Sequence, residues 1–397
     1  VTCPADRYAR AARQALAAGA AAARAAGYSV RAIGIGSQAQ TFLALDRAGR
    51  PLQPAVVWTD NRAGREALTV ARAIPDFARH SGFNQPLGLL FLPKVIHALR
   101  NGTLRRERVD KFLLLNEYIV RILTGHAYGD EVNQGMGGFY DISRRCLSKR
   151  ALALAGIKSS QLAEVGPAAA ISRPLTIDTA RRIGLPSPVP VFSCGNDQSC
   201  GAAGASLSGT GDILCNFGTA MVVYSVRARL PTRLARNQIA GIDPLTGRYF
   251  LLGVENECGN IIDWAHATFF PKLSIDAMLR RALAWKGPPE SLPVINFHGN
   301  GRFDLDGITP ATDGAIIVRA ILSHFGHAFA ELVRTTGGRH TRRAIVSGGL
   351  TRSSDWCAFF SVCAGLPIKH APAKHLGLLG IMRIIGRHGQ DRRGLSR

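Results

Sequence analysis

Lysine and acidic residues are scarce in this 397-residue chain: eight Lys, and 27 Asp and Glu against 49 Lys and Arg, for a net charge of +22. A charge of that size attracts nucleic acid, anionic membranes or phosphorylated ligands. The Arg residues are scattered through predicted helices, and no helix-turn-helix, zinc-finger or aromatic-basic signature accompanies them. Nucleic acid is therefore not an expected partner. The eight cysteines contain no CxxC pair, which argues against zinc ribbons and redox dithiols; reduced, buried thiols in a cytoplasmic protein are expected. No run of about 18 uncharged apolar residues occurs, so no membrane span is predicted. The Ala-rich start, AARQALAAGAAAARAAG, is interrupted by Arg24 and reads as an amphipathic helix rather than a secretion signal. Also missing are GxxxxGK[ST], GxGxxG, HExxH and GxSxG, and with them the usual P-loop, dinucleotide, zinc-protease and serine-hydrolase readings.

What is present has the balance of a globular protein, 46% hydrophobic and 19% charged residues, in a chain long enough for two domains of roughly 150 residues or more. The stretches RAIGIGSQAQTFLALD and GRPLQPAVVW read as three strands of a β-meander. Asn116 is the expected N-cap of the helix EYIVRILTG, and Gly125 its C-cap. The Pro-rich GLPSPVPVFSCGND marks the expected domain boundary, dividing the chain into 1–187 and 188–397. After it come strands VPVFSCG, GDILCNFG and AMVVYSV, the helix GAIIVRAILSHFGHAFAELVRTT, strand AIVSGGL and helix SSDWCAFFSVCAG. This alternation predicts α/β domains with mixed sheets. The basic run RIIGRHGQDRRGLSR reads as a solvated tail.

Three glycine turns, each at a strand end, carry the chemistry: Gly195-Asn196-Asp197-Gln198, Gly218-Thr219-Ala220 and Gly348-Gly349-Leu350. Glycines at strand ends let backbone N–H groups approach an anion, and Thr219 adds a hydroxyl donor, so a phosphate is the natural guest. Each turn alone also reads as a plain tight turn, and Asp197 alone as a turn-capping residue.

The order of these turns, together with IGIGSQAQTFLALDRAGRPLQPAVVWTDNR, LPKV, NEYIVRILTG and GVENECGNIIDW, resembles the FGGY carbohydrate kinase family, with xylulokinase-like and glycerol kinase-like features. The resemblance covers residues from about 25 to about 370. It implies two ribonuclease H-like domains of the actin/hexokinase superfamily with a cleft between them, the first sugar-binding and the second nucleotide-binding. It implies transfer of a phosphoryl group from ATP, with Mg2+, onto a sugar or polyol hydroxyl. Asp197 falls at the family's catalytic base, and Gln198 follows it as in glycerol kinase-like members. Gln38, Gln40, Trp58, Asp60 and Arg62 fall at its sugar contacts, and Gly218, Thr219, Gly348, Gly349 and Ser353 at its nucleotide contacts. No protein metal ligands are implied. The partners implied are the sugar or polyol and ATP, with a homodimer allowed and no nucleic acid or membrane. The family's opening Asp-x-Gly-Thr hairpin does not precede the Ala-rich helix, so the first domain is expected to be incomplete and activity to depend on that segment. A non-catalytic descendant that binds sugar or nucleotide is the alternative.

Overall fold

The computed structural model describes residues 1–207, 211–299 and 302–394. They form two compact units, one of Val1–Ser206, Arg227–Phe250 and His375–Arg397, the other of Leu207–Val226 and Leu251–Lys374. The units do not divide at Pro188. The prolines there lead into the strand Pro190–Asn196, which pairs in parallel with Ile33–Ser37 and so stays with the first unit.

The first unit holds a sheet in the order Thr2–Cys3, Ala55–Val56, Phe42–Leu45, Lys111–Leu114, and another in the order Ser172–Pro174, Pro190–Asn196, Ile33–Ser37. The expected meander is thereby broken. Gln40, at φ 65°, occupies the left-handed region between strands of different sheets. The strand Phe42–Leu45 is buried on both faces: Phe42 and Ala44 join a core with Phe91 and Phe112, while Leu43 and Leu45 join another with Ala5, Ala9 and Leu113. Period-two alternation explains this division. Helix Leu115–Thr124 ends at Gly125, whose φ of 80° suits glycine, but Asn116 is not its N-cap. Glu117 takes that task, accepting the Leu114 N–H at 2.8 Å, and Asn116 points into a buried polar network instead.

The start of the C-terminal run is also not a solvated tail, while its residues 395–397 lie outside the described residues. Helix Leu376–Gly394 lays Leu376, Ile381, Ile384 and Ile385 on a helical stripe against the first unit's core. Gly380 and Gly204 permit the contact with helix Asp197–Gly204. A Cβ at these positions would lie 1.8 Å from the Cys200 carbonyl oxygen and 2.0 Å from that of Leu376.

In the second unit five strands follow the order Tyr249–Glu255, Met221–Arg227, Asp212–Phe217, Arg343–Ser347, Ile368–His370. Asp212–Phe217 is antiparallel to Met221–Arg227 and parallel to Arg343–Ser347. Helix Gly314–Leu332, the one described helix apolar enough to cross a membrane, supplies Val318, Ile321, Phe325 and Phe329 to the core, where they meet Trp356 and Phe360. Each such buried side chain contributes about 1.5–3 kcal/mol of burial free energy.

Candidate functional site

Asp197 owes its place to a bulge. The parallel register runs Val191 to Ile33, Phe192 to Gly34 and Ser193 to Ile35, then jumps to Asn196 and Ser37, so one extra residue is accommodated around Gly195, at φ 106°. Asp197 and Gln38 therefore directly follow the last paired residues, Asn196 and Ser37, of two neighbouring strands. Asn196 caps helix Asp197–Gly204 through its Oδ1, which accepts the Ser199 N–H at 2.9 Å. Asp197 is exposed, yet surrounding atoms partly desolvate its carboxyl. That burial raises its pKa from the usual carboxylate value, against the opposing hydrogen bonds of the Gln198 and Asp197 backbone N–H groups and the Gln198 side chain. The result is a carboxylate that is accessible but poorly hydrated.

Gln38, Gln40, Trp58, Asp60 and Arg62 gather around two buried side chains, Thr41 and the Lys94 of LPKV, to which the sequence assigned no role. Thr41 Oγ1 accepts from Gln38 Nε2 at 2.8 Å and from the Trp58 N–H at 3.0 Å, tying the two turns together. Lys94, only 1% exposed, donates from Nζ to the carbonyls of Gln40 at 3.1 Å and Val57 at 2.8 Å. Burial pulls the Lys94 pKa down to about 8, with Asp60 opposing the shift. Gln40 is buried: its Nε2 donates to the Met136 carbonyl at 2.7 Å and its Oε1 accepts the Phe91 N–H at 3.0 Å. Its amide thus shapes the turn. Asp60 is buried as well; desolvation works against its charge, but hydrogen bonds from Arg62, at 2.7 Å (Nε) and 2.6 Å (Nη2), and from the Val1 amino group hold its carboxyl well below the usual range. Trp58, 48% exposed, presents an indole to solvent beside them.

In the second unit a cavity of about 440 Å³ brings together Gly218, Thr219, Gly349 and Ser353, drawn from two of the glycine turns. Gly348 itself is held by packing and conformation: its φ is 109° and a Cβ would lie 2.1 Å from the Phe217 carbonyl oxygen. Gly218 and Gly349 differ. Neither has a positive φ, and an added Cβ would meet only the Ala220 oxygen at 3.8 Å in the first case and nothing within 4 Å in the second. Packing does not require glycine there; the missing side chains leave backbone bare at the cavity wall. The N-terminus of helix Gly259–Phe269 closes on the same turn, with the Gly259 N–H donating to the Gly218 carbonyl at 3.0 Å. Ser353 caps helix Ser354–Ala364, its Oγ accepting the Trp356 N–H at 3.4 Å.

The cavity also holds Asp263, Asp276 and Arg352. Their carboxylates can accept hydrogen bonds from hydroxyl or amino groups, and the guanidinium can meet an anion. Asp263 lies within the quoted GNIIDW, but neither aspartate carries a local pattern that distinguishes it from a surface acid. Among the described residues no group of three or more His, Cys, Asp or Glu is arranged to hold a metal ion.

This architecture is similar to that of solved sugar kinases. Against xylulose kinase from Rhodospirillum rubrum the TM-score is 0.85 at 21% identity, covering 96% of this chain and 81% of that one. Against Plasmodium falciparum glycerol kinase with ADP it is 0.78 at 20% identity, covering 91% and 76%. The two-domain α/β fold of the actin/hexokinase type is thus shared. In sequence, the chain is 24% identical over 382 residues to xylulose kinase of Klebsiella pneumoniae, covering 92% of this chain and 78% of that protein. It is 28% identical over 206 residues to glycerol kinase of Thermus brockianus, covering 48% and 39%. Residues 6–204 match the model of the FGGY family of carbohydrate kinases, N-terminal domain. The chain belongs to the FGGY family of carbohydrate kinases.

Proposed function

We propose that the protein phosphorylates a hydroxyl of a xylulose-like sugar or polyol with ATP, and that Asp197 is the general base. The observation that carries this reading is the bulged strand end, which presents an accessible, poorly hydrated carboxylate one residue beyond Asn196, whose strand partner Ser37 precedes Gln38. A carboxylate of raised pKa accepts the hydroxyl proton as the oxygen attacks the γ-phosphoryl, a contribution of about 10²- to 10⁴-fold. Gln38, Gln40, Trp58, Asp60, Arg62 and Gln198 form the sugar shell, some through their side chains and others, like Gln40, by shaping the turns. In the second unit Gly218, Thr219, Gly349 and Ser353 bind the nucleotide, and Gly348 holds the turn that presents them. Bare backbone and the helix N-terminus at Gly259 suit its phosphates, and the carboxylates of Asp263 and Asp276 suit hydroxyl or amino donors.

A Mg2+ would arrive with the nucleotide, held mainly by phosphate oxygens and water. When bound, it would neutralise phosphate charge. The unpaired thiols suit a reducing, cytoplasmic setting. The test is a panel of xylulose, glycerol and other polyols in an ATP-consumption assay, with calorimetry of each ligand in parallel. Turnover of at least one sugar or polyol is expected. Binding of sugar or ATP without turnover would instead support a non-catalytic binding protein, and no binding at all would sink both readings.

A further inference from the structure

A buried carboxylate, that of Asp130, bonds the backbone two residues before the proposed base. Asp130 is fully buried, and no Lys, Arg or His of the described residues forms an ion pair with it. Its Oδ2 accepts the Gly195 N–H at 3.2 Å, the Ser193 hydroxyl at 2.5 Å and Asn116 Nδ2 at 3.2 Å. Its Oδ1 accepts the Asn133 N–H at 2.8 Å, capping helix Glu131–Gly137. One face of this carboxylate therefore grips the bulge on both sides of Cys194. The other face fixes a helix whose Met136 meets both substrate turns: its carbonyl accepts from Gln40, and its sulfur contacts Asn196 Nδ2 at 3.1 Å.

We propose that Asp130 is a positioning residue that sets the bulge at Gly195 and thereby aims the Asp197 carboxylate. The proposal rests on the reading of Asp197 as the base. A buried carboxyl group without an ion-pair partner is a costly way to stabilise a fold, and an apolar residue of similar volume often does as well. What an apolar residue cannot do is gather five donors, among them the Asn133 side-chain amide, from three chain segments around one point. The bulge needs that gathering, because an extra residue in a parallel ladder leaves backbone N–H groups without strand partners. Asp130 supplies the acceptor for the Gly195 N–H.

The variant Asp130→Asn tests this. Its Oδ1 can still cap Asn133, but an amide N–H2 now faces the Gly195 N–H and the Ser193 hydroxyl, as well as the side-chain amides of Asn116 and Asn133, so the bulge loses its acceptor. With the sugar that is turned over and ATP both saturating, kcat is expected to fall about 10- to 100-fold while the KM for ATP stays within three-fold. Amide hydrogen exchange at residues 195–199 is expected to quicken at least ten-fold, with the second unit unchanged. Ser193→Ala, a milder lesion, is expected to lower kcat about three-fold and to quicken exchange at Gly195. Glu117→Gln, in the same buried network but with no bond to the bulge, is expected to keep kcat within two-fold. Parental kcat and exchange in both Asp130→Asn and Ser193→Ala would overturn the proposal, as would a fall in kcat without faster exchange at 195–199. If the parent protein phosphorylates nothing, the kinase reading fails, and the exchange measurement still decides whether Asp130 holds the turn.

Discussion

At the scale of single residues, the buried ionisable groups of the first unit make separate predictions. Glu117 is fully enclosed, and burial pushes its carboxyl up to about 7 from the usual 4.5, against hydrogen bonds from Gln134 and the Leu114 N–H. The folded state thus keeps this proton to higher pH than the unfolded state. Stability is full below about 4.5 and is lost as pH rises towards 7, by about 3 kcal/mol at most. Denaturant titrations of the parent should show that decline between pH 5 and 7, and Glu117→Gln should abolish it; an identical decline in both proteins would assign it to other groups. Lys94 acts through geometry. Lys94→Met keeps bulk but removes both carbonyl clamps, so the turns at 38–41 and 57–62 should loosen. The KM for the sugar is expected to rise at least ten-fold and that for ATP to change less than two-fold. Equal effects on both would show that the lysine serves general stability only.

At the scale of elements, the two neighbouring glycines of the second unit separate structure from binding. Gly348→Ala forces a side chain into a left-handed residue and against the Phe217 carbonyl, so it should lower the melting temperature by several degrees. Gly349→Ala meets open space and should leave the melting temperature within about two degrees while weakening ATP binding at least five-fold by calorimetry. Unchanged ATP affinity in Gly349→Ala would remove this turn from the nucleotide site. Most of these elements were legible in the sequence, because period-two apolar runs and strand-end glycines are local signals: the strands around 190, 212, 221 and 343 stand where they were expected. What failed was pairing. The strand Ile33–Ser37 looks like the first arm of a meander, yet its partner lies about 160 residues away, and no local pattern encodes that choice. Asn116 before an apolar run likewise mimics an N-cap, while its real task, donating to Asp130 and Ser193, depends on two distant segments.

At the scale of the whole molecule, the expected division at Pro188 followed composition, whereas the compact units follow strand pairing, which returns residues 227–250 and the C-terminal helix to the first unit. Composition misleads at the start of the basic tail for a related reason: arginines dominate the run, but Ile384 and Ile385, with Ile381 just before them, pack into the first unit. The candidate residues nonetheless fall into two sets, those proposed for base and sugar in the first unit and those proposed for the nucleotide in the second. The central claim is that the first set is catalytic through Asp197, and the most direct test compares Asp197→Asn with its parent in the full protein. The substitution keeps the shape and removes a carboxyl that burial disfavours in its charged form, so the melting temperature at pH 7.5 should be unchanged or higher, and sugar and ATP affinities should stay within a few-fold. Turnover of the sugar should fall at least ~10²-fold, about 2.7 kcal/mol of transition-state stabilisation. Phosphorylation by Asp197→Asn at the parental rate would contradict the account and leave the bulged strand end as a structural turn.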